Sequence, residues 1–244
     1  MPINVCIPGI SGKMGLEIAK LILSQSSAMS LSAAITRKPK EQVNKYISID
    51  NNIITSDIDH GISKSDVCID FTRPENTMLL LEKCIKYNKK LVIGTTGFTE
   101  PQILEIKDAS NKIAILKASN MSIGINLCLK LVEKTSSIIG DISDIDIVEH
   151  HHKHKVDMPS GTSLSFEEAI KKNIKNSKEV KHHCLRVGNV IGDHMIKFTL
   201  ENESIEINHK SFDRKIFAEG AVLASKWIND KDKGLYGMND VLSL

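Results

Sequence analysis

"INVCIPGISGKMGLEIAKLILS", residues 3–24, opens with a run that reads as a buried strand and ends in a run with helical spacing. Between the two, Gly9, Gly12 and Gly15 form a GxxGxxG loop. Met14, Ile18, Leu21 and Ile22 recur at i, i+4, i+7 and i+8, so the loop feeds a helix. A strand, a glycine turn and a helix in that order make a variant of the dinucleotide fingerprint. The glycines permit a tight turn and close backbone approach, while the helix N-terminus offers N–H groups and a positive dipole to a pyrophosphate. A plain tight turn is the bland alternative. The placing of the motif, early in the chain and inside a strand–helix–strand unit, favours the first reading.

Working outward, "LSAAIT" (31–36) and "VCIDFT" (67–72) read as strands, and Pro74 starts a helix through "ENTMLLLEKCIKYN". "LVIGTT" (91–96), the helix "PQILEIKDAS" and the strand "IAILKA" (113–118) continue the alternation. Such a succession predicts a doubly wound α/β domain, a parallel sheet with helices on both faces. From about residue 123 the pattern changes: a helix near 124–139, the strand "DIDIVEHH" (144–151) and a helix near 163–175. Strand-like runs at 194–200 and 204–210 are close enough to pair as a hairpin, and the helix "FAEGAVLASKWIN" and the tail "GLYGMNDVL" follow. This half reads as a second, α+β domain.

Composition narrows the class. The 244 residues, 41% hydrophobic and 25% charged, have room for one large domain or two modest ones, and their net charge is +2. No strong field calls for nucleic acid or an anionic membrane, and no run approaches the ~18 apolar residues of a membrane span. The N-terminal stretch lacks the basic region of a secretion signal. Five scattered cysteines without a CxxC pair suit a reducing compartment, so a cytoplasmic protein is expected.

Two short stretches carry chemistry. The second strand ends in "AAITRKPK", where an NAD site usually has a carboxylate for the ribose hydroxyls; here Thr36, Arg37 and Lys38 stand instead. Cationic side chains there would favour the extra phosphate of NADPH, whereas the bland reading is a solvated basic turn. The other stretch is "EHHHKHKVDMPSGTS", residues 149–163. A metal site is disfavoured, because consecutive histidines on a strand point to opposite faces and no second ligand cluster supports His150 with His152, or His152 with His154. A solvated basic loop is the second reading. In the third, Ser160, Gly161 and Thr162 turn N–H and hydroxyl groups toward an anion, with Thr162 or Ser163 as helix N-cap. Lys155 adds an ammonium and a histidine can move a proton, which describes a pocket for a small carboxylate-bearing substrate.

Taken together, "GISGKMG", "IDFTRPENT", "VIGTTGF", "ASNMSIGIN", "EHHHKHKVDMPSGTS", "IEINHKSFDRKIFAEGAV" and "GLYGMNDVL" closely resemble, in order and across the chain, the 4-hydroxy-tetrahydrodipicolinate reductase (dihydrodipicolinate reductase) family. The pattern E-x-H-H-x-x-K-x-D-x-P-S-G-T is matched completely from Glu149 to Thr162. The resemblance implies a Rossmann-like nucleotide domain of residues 1–122 and 214–244 and a substrate-binding and tetramerisation domain of residues 123–213. It implies a cytoplasmic homotetramer of lysine (diaminopimelate) biosynthesis that reduces a cyclic dicarboxylate with NADPH, or NADH as the alternative. His151 and Lys155 match the catalytic positions; His152, Lys155, Ser160, Gly161 and Thr162 match substrate-binding ones. Gly9, Ile10, Ser11, Gly12, Lys13 and Met14 match the family's first cofactor loop, Gly94, Thr95 and Thr96 the second, and Ala118, Ser119, Asn120 and Met121 the third. Thr36 and Arg37 fall where bacterial members carry an acid and then a base, a departure that strengthens the NADPH expectation. No metal is implied. The stretches between the second strand and "IDFT", and between Lys175 and His194, are compact and read as shortened loops. Two rivals stay open on the residues alone: a related reductase of an amino or imino acid, and a non-catalytic dinucleotide sensor.

Overall fold

The computed structural model describes residues 1–24, 27–37, 43–176 and 178–244, and Lys38 lies outside them. It divides into two compact units: Met1–Met121 with Phe217–Ser243, and Ser122–Ile216 with Leu244.

The first unit is built on a seven-stranded sheet of order β11-β6-β5-β4-β1-β2-β3, parallel at every pairing. Its strands are β1 (Ile3–Pro8), β2 (Met29–Ile35), β3 (Ile54–Thr55), β4 (Val67–Asp70), β5 (Lys90–Ile93), β6 (Ala114–Lys117) and β11 (Gly234–Tyr236). Near-continuous apolar runs such as "NVCIP" form here because central parallel strands are buried on both faces. Val5, Ile7, Val67, Ile69 and Val92 point into one core, shared with the helices α1 (Lys13–Ser24) and α7 (Lys215–Ile228). The alternate residues Cys6, Cys68, Leu91 and Ile93 point into the other, under α2 (Ile58–Ser63), α3 (Pro74–Lys86) and α4 (Glu100–Ala109). The strand order reverses between β1 and β4, so the turns after these strands diverge and leave a crevice at their carboxyl ends.

The second unit carries a four-stranded sheet of order β10-β9-β7-β8. β7 (Asp144–His151), β9 (Gly192–Thr199) and β10 (Ser204–Ser211) pair antiparallel, and β8 (Val180–Arg186) runs parallel to β7. Ile145, Ile147, Val180, Ile196 and Phe198 form its core with Ile125, Cys128 and Val132 of α5 (Ile123–Ile139) and Phe166 and Ile170 of α6 (Gly161–Lys171). A short α8 (Met238–Leu242) follows β11 in the first unit.

The hairpin of the second half is present, as Ser204–Ser211 on Gly192–Thr199. Two expectations fail locally. The stretch between Lys175 and His194, read as a shortened loop, contains β8. Its inward residues His182, Cys184 and Arg186 are polar or small, so the hydrophobic alternation that marks a half-buried strand is missing. The helix expected near 163–175 runs from Gly161 to Lys171, and its N-cap is Ser160 rather than Thr162 or Ser163. Extended backbone at Ser160 lets its hydroxyl oxygen accept from the Ser163 N–H, at 3.2 Å, which fixes the first turn.

Candidate active site

The crevice of the first unit is a cleft of about 770 Å³. Gly9, Ser11 and Gly12 line it from the turn after β1, Thr36 and Arg37 from the end of β2, and Phe71, Thr72, Arg73 and Asn76 from the segment after β4. Gly9 has φ +69°, and a Cβ on Gly15 would stand 2.6 Å from the Gly9 carbonyl oxygen. The loop therefore needs glycine at both positions, one for the turn and one for helix α1 to start against it. These features fit a dinucleotide: a bare backbone turn with a helix N-terminus behind it, at the switch point of a parallel sheet. Thr36 is buried and donates to the Ser11 hydroxyl oxygen at 3.5 Å, while Arg37 is exposed.

The other expected cofactor positions are distributed differently. Ile10 and Met121 are buried in the first unit's core, so their side chains serve packing. Lys13 is exposed and Met14 half-buried on α1. Gly94, Thr95 and Thr96 follow β5, and Ala118, Ser119 and Asn120 follow β6, the strand ends where ligands of such sheets bind.

In the second unit, alternation along β7 sends Glu149 and His151 to the helix-covered face and His150 to the opposite one. Register then places His194 of β9 opposite Glu149, and Arg186 of β8 opposite His151. The covered face is thus apolar at one end and polar at the other.

Glu149 is fully buried. Its Oε2 accepts from the Ser160 N–H at 3.0 Å and the Ser163 hydroxyl at 2.6 Å, and its Oε1 accepts from Arg186 Nη2. Burial alone would push this carboxyl up, but the Ser160, Ser163 and Arg186 donors outweigh it and hold the group well below the usual carboxylate range. His151 Nδ1 lies 3.8 Å from Glu149 Oε2, and its ring meets His194 edge-to-face with centroids 5.1 Å apart. Burial lowers the His151 pKa against the pull of Glu149. His194 is pushed down to about 3, by burial first and by the neighbouring His151 next, and its Nε2 sits 3.3 Å from the Ser160 hydroxyl.

Lys155 follows in the loop after β7, its ammonium held by both Asp157 oxygens at 2.8 Å. Arg186 Nη2 also donates to the Asp157 carbonyl at 2.8 Å, so one guanidinium ties this loop to Glu149. His152 is half-buried beside His154, their ring centroids 6.4 Å apart. Glu149, His151 and His194 are a group, among the described residues, whose potential ligand atoms lie within 4.8 Å of one another. Glu149 already receives three donors, and the Arg186 guanidinium beside it opposes a second cation.

The residues alone assign no role to Glu149, Arg186 or His194, and to Ser163 only that of a helix N-cap. The signal for His194 was available: along "HMIKFTL" the inward positions run Phe198, Ile196, His194, an apolar series ending in a titratable side chain.

Comparison with known proteins covers both units. Residues 3–121 match the family model "Dihydrodipicolinate reductase, N-terminus" and residues 124–242 match "Dihydrodipicolinate reductase, C-terminus". The 4-hydroxy-tetrahydrodipicolinate reductase of Buchnera aphidicola subsp. Schizaphis graminum is 39% identical over 264 aligned positions, covering 98% of this chain and 96% of that one. The protein of the same name from Buchnera aphidicola subsp. Baizongia pistaciae is 37% identical, covering 99% and 98%. The solved structure of dipicolinate-bound dihydrodipicolinate reductase from Paenisporosarcina sp. TG-14 superposes with a TM-score of 0.84 at 27% identity, covering 98% of this chain and 99% of that one. Scyllo-inositol dehydrogenase from Lactobacillus casei, at 12% identity and a TM-score of 0.66 over 99% of this chain and 93% of that one, shares the fold.

Proposed function

The chain belongs to the dihydrodipicolinate reductase family, and from that premise we propose that it converts 4-hydroxy-2,3,4,5-tetrahydrodipicolinate to tetrahydrodipicolinate in the diaminopimelate route to lysine. The reaction consumes one reduced pyridine nucleotide and one proton and releases water and the oxidised nucleotide. The observation that carries this reading within the structure is the buried Glu149–His151–His194 group, followed directly by Lys155 and the N-terminus of α6.

A bound pyridine nucleotide supplies the hydride. The turn after β1 and the start of α1 would hold its pyrophosphate. Among the described residues, Arg37 and Arg73 line the same cleft with one acid, Glu75, which supports NADPH over NADH as the preferred form. In the second unit, a substrate carboxylate takes Lys155 over from Asp157. Gly161 and Thr162 occupy the first helical positions, where the positive end of the helix dipole favours an anion. Ser160 spends its own amide on Glu149 and its hydroxyl on the Ser163 amide, so it shapes this corner by capping. His151 delivers the proton to the reduced ring, with Glu149 beside it stabilising the imidazolium. By family likeness the assembly is a homotetramer built through the second unit.

The test is a coupled assay: generate the substrate from pyruvate and aspartate semialdehyde with its synthase, add the protein, and follow nicotinamide absorbance with NADPH and with NADH. Substrate-dependent oxidation, faster with NADPH, is the expected result. No oxidation with either nucleotide, from protein that binds NADPH, would return the second unit to a sensor or a different substrate. Dipicolinate, the ligand of the Paenisporosarcina relative, is expected to inhibit competitively with the cyclic substrate.

A further inference from the structure

Asp70 ends β4 fully buried, yet no ion pair to it occurs among the described residues. A buried carboxylate without a cation persists only where hydrogen bonds replace its hydration. Here Oδ1 accepts from the Thr72 N–H at 3.0 Å and from the Thr72 hydroxyl at 2.5 Å, while Oδ2 accepts from the Thr95 hydroxyl at 3.0 Å and from the Thr77 hydroxyl. Burial raises the Asp70 pKa, and these threonine donors oppose the rise.

The donors come from different turns. Thr72 belongs to the segment after β4 and Thr95 to the turn after β5, and the Thr72 N–H also reaches the Thr95 hydroxyl oxygen at 3.0 Å. The Asp70 backbone carbonyl accepts from the Gly94 N–H at 2.8 Å, so both ends of the residue grip the β5 turn. On its other side the Thr72 methyl stands 2.9 Å from where a Cβ on Gly9 would be, in the glycine loop after β1. Thr72 is therefore the point where three turns of the cleft meet, and Asp70 holds Thr72. Thr95 directs its hydroxyl proton to Asp70 and receives the Thr72 amide, so its side chain braces the turn.

We propose that Asp70 is a positioning residue for the dinucleotide: its carboxylate keys the turns after β1, β4 and β5 to one another, and nucleotide affinity depends on it although it is shielded from solvent. This rests on the reading of the cleft as the nucleotide site.

The experiment compares full-length Asp70→Asn, Thr77→Val and Thr77→Ser with the unaltered protein, measuring NADPH Kd by fluorescence, KM for each substrate, and Tm. Asp70→Asn replaces an acceptor oxygen by a donor among donors, and is expected to raise the NADPH Kd about tenfold with the KM for the cyclic dicarboxylate unchanged. Thr77 lies outside the cleft lining, so Thr77→Val tests the brace in a variant of nearly the same shape. It is expected to raise Kd about threefold, and Thr77→Ser to restore it. Should Asp70→Asn not fold, the Thr77 pair decides. Lowered Tm with NADPH Kd within twofold of the unaltered protein would overturn the proposal and leave Asp70 a support of the fold alone. An unaltered protein that binds neither NADPH nor NADH would instead overturn the reading of the cleft.

Discussion

At the scale of single residues the second unit sets one histidine apart from its neighbours. His151 is the only one of the three consecutive histidines, 150 to 152, that is buried, and of the three it alone brings a ring nitrogen near the Glu149 carboxylate, at 3.8 Å. His151→Gln keeps a ring-sized polar group but cannot donate as an acid, so kcat is expected to fall about 10²–10⁴-fold with Tm unchanged; a variant within threefold would refute the assignment. The depressed His151 pKa adds a pH signature. Because kcat/KM reports the free enzyme, it is expected to decline as pH rises through an inflection below the ordinary value of 6.5. In the first unit, Arg37→Ala removes a cation from the cleft. We expect kcat/KM with NADPH to drop about tenfold and that with NADH to stay level, read in parallel assays.

At the scale of elements, β7 and α6 are joined by one carboxylate. Glu149 reaches out of the strand to the amide and hydroxyl that begin the helix, so the loop between, with Lys155, is anchored at both ends. Ser163→Ala removes the shortest of these bonds. It is expected to cost about 1–3 kcal/mol in urea unfolding and to raise the KM for the cyclic substrate more than that for NADPH. Equal rises in both KM values would count against a local role. The elements themselves were legible wherever burial imposes a period: β1, α1, β4 and α3 follow their apolar patterns. β8 was not, because the residues it turns inward are those of the polar corner, and a strand that lines such a corner loses the alternation by which strands are known. β11 is three residues long, too short for any period, and takes its identity from β6. His194 and Arg186 stayed unseen for a related reason: they are brought to Glu149 by strand register, which local sequence does not state.

For the molecule as a whole, the buried histidines set the response to acid. The folded-state pKa of His194, about 3, lies below its ordinary 6.5, and His151 and His209 are lowered as well. Between those values the unfolded chain binds protons that the folded one refuses, so the His194 contribution to stability falls as pH drops below 6.5 and levels off near 3. Glu149, held low, adds loss in the same direction below about 4.5, its ordinary value, whereas Asp70, held high, opposes it in part. Thermal melts from pH 7.5 to 5 are expected to show a falling Tm, and a flat profile would contradict the burial of these rings. Among the described residues, no helix is long and apolar enough to cross a membrane.

The first unit is interrupted in the chain: its sheet is completed by β11, and its core by α7, only after the whole second unit has been passed. On the ribosome this inverts the usual order. The inserted unit emerges complete while the unit that begins the chain still waits for its last strand, its β6 edge open and part of its core uncovered. A stalled or clipped chain lacking the segment from Phe217 would therefore lose the nucleotide domain first, and would expose to quality control the half of the protein that was made earliest.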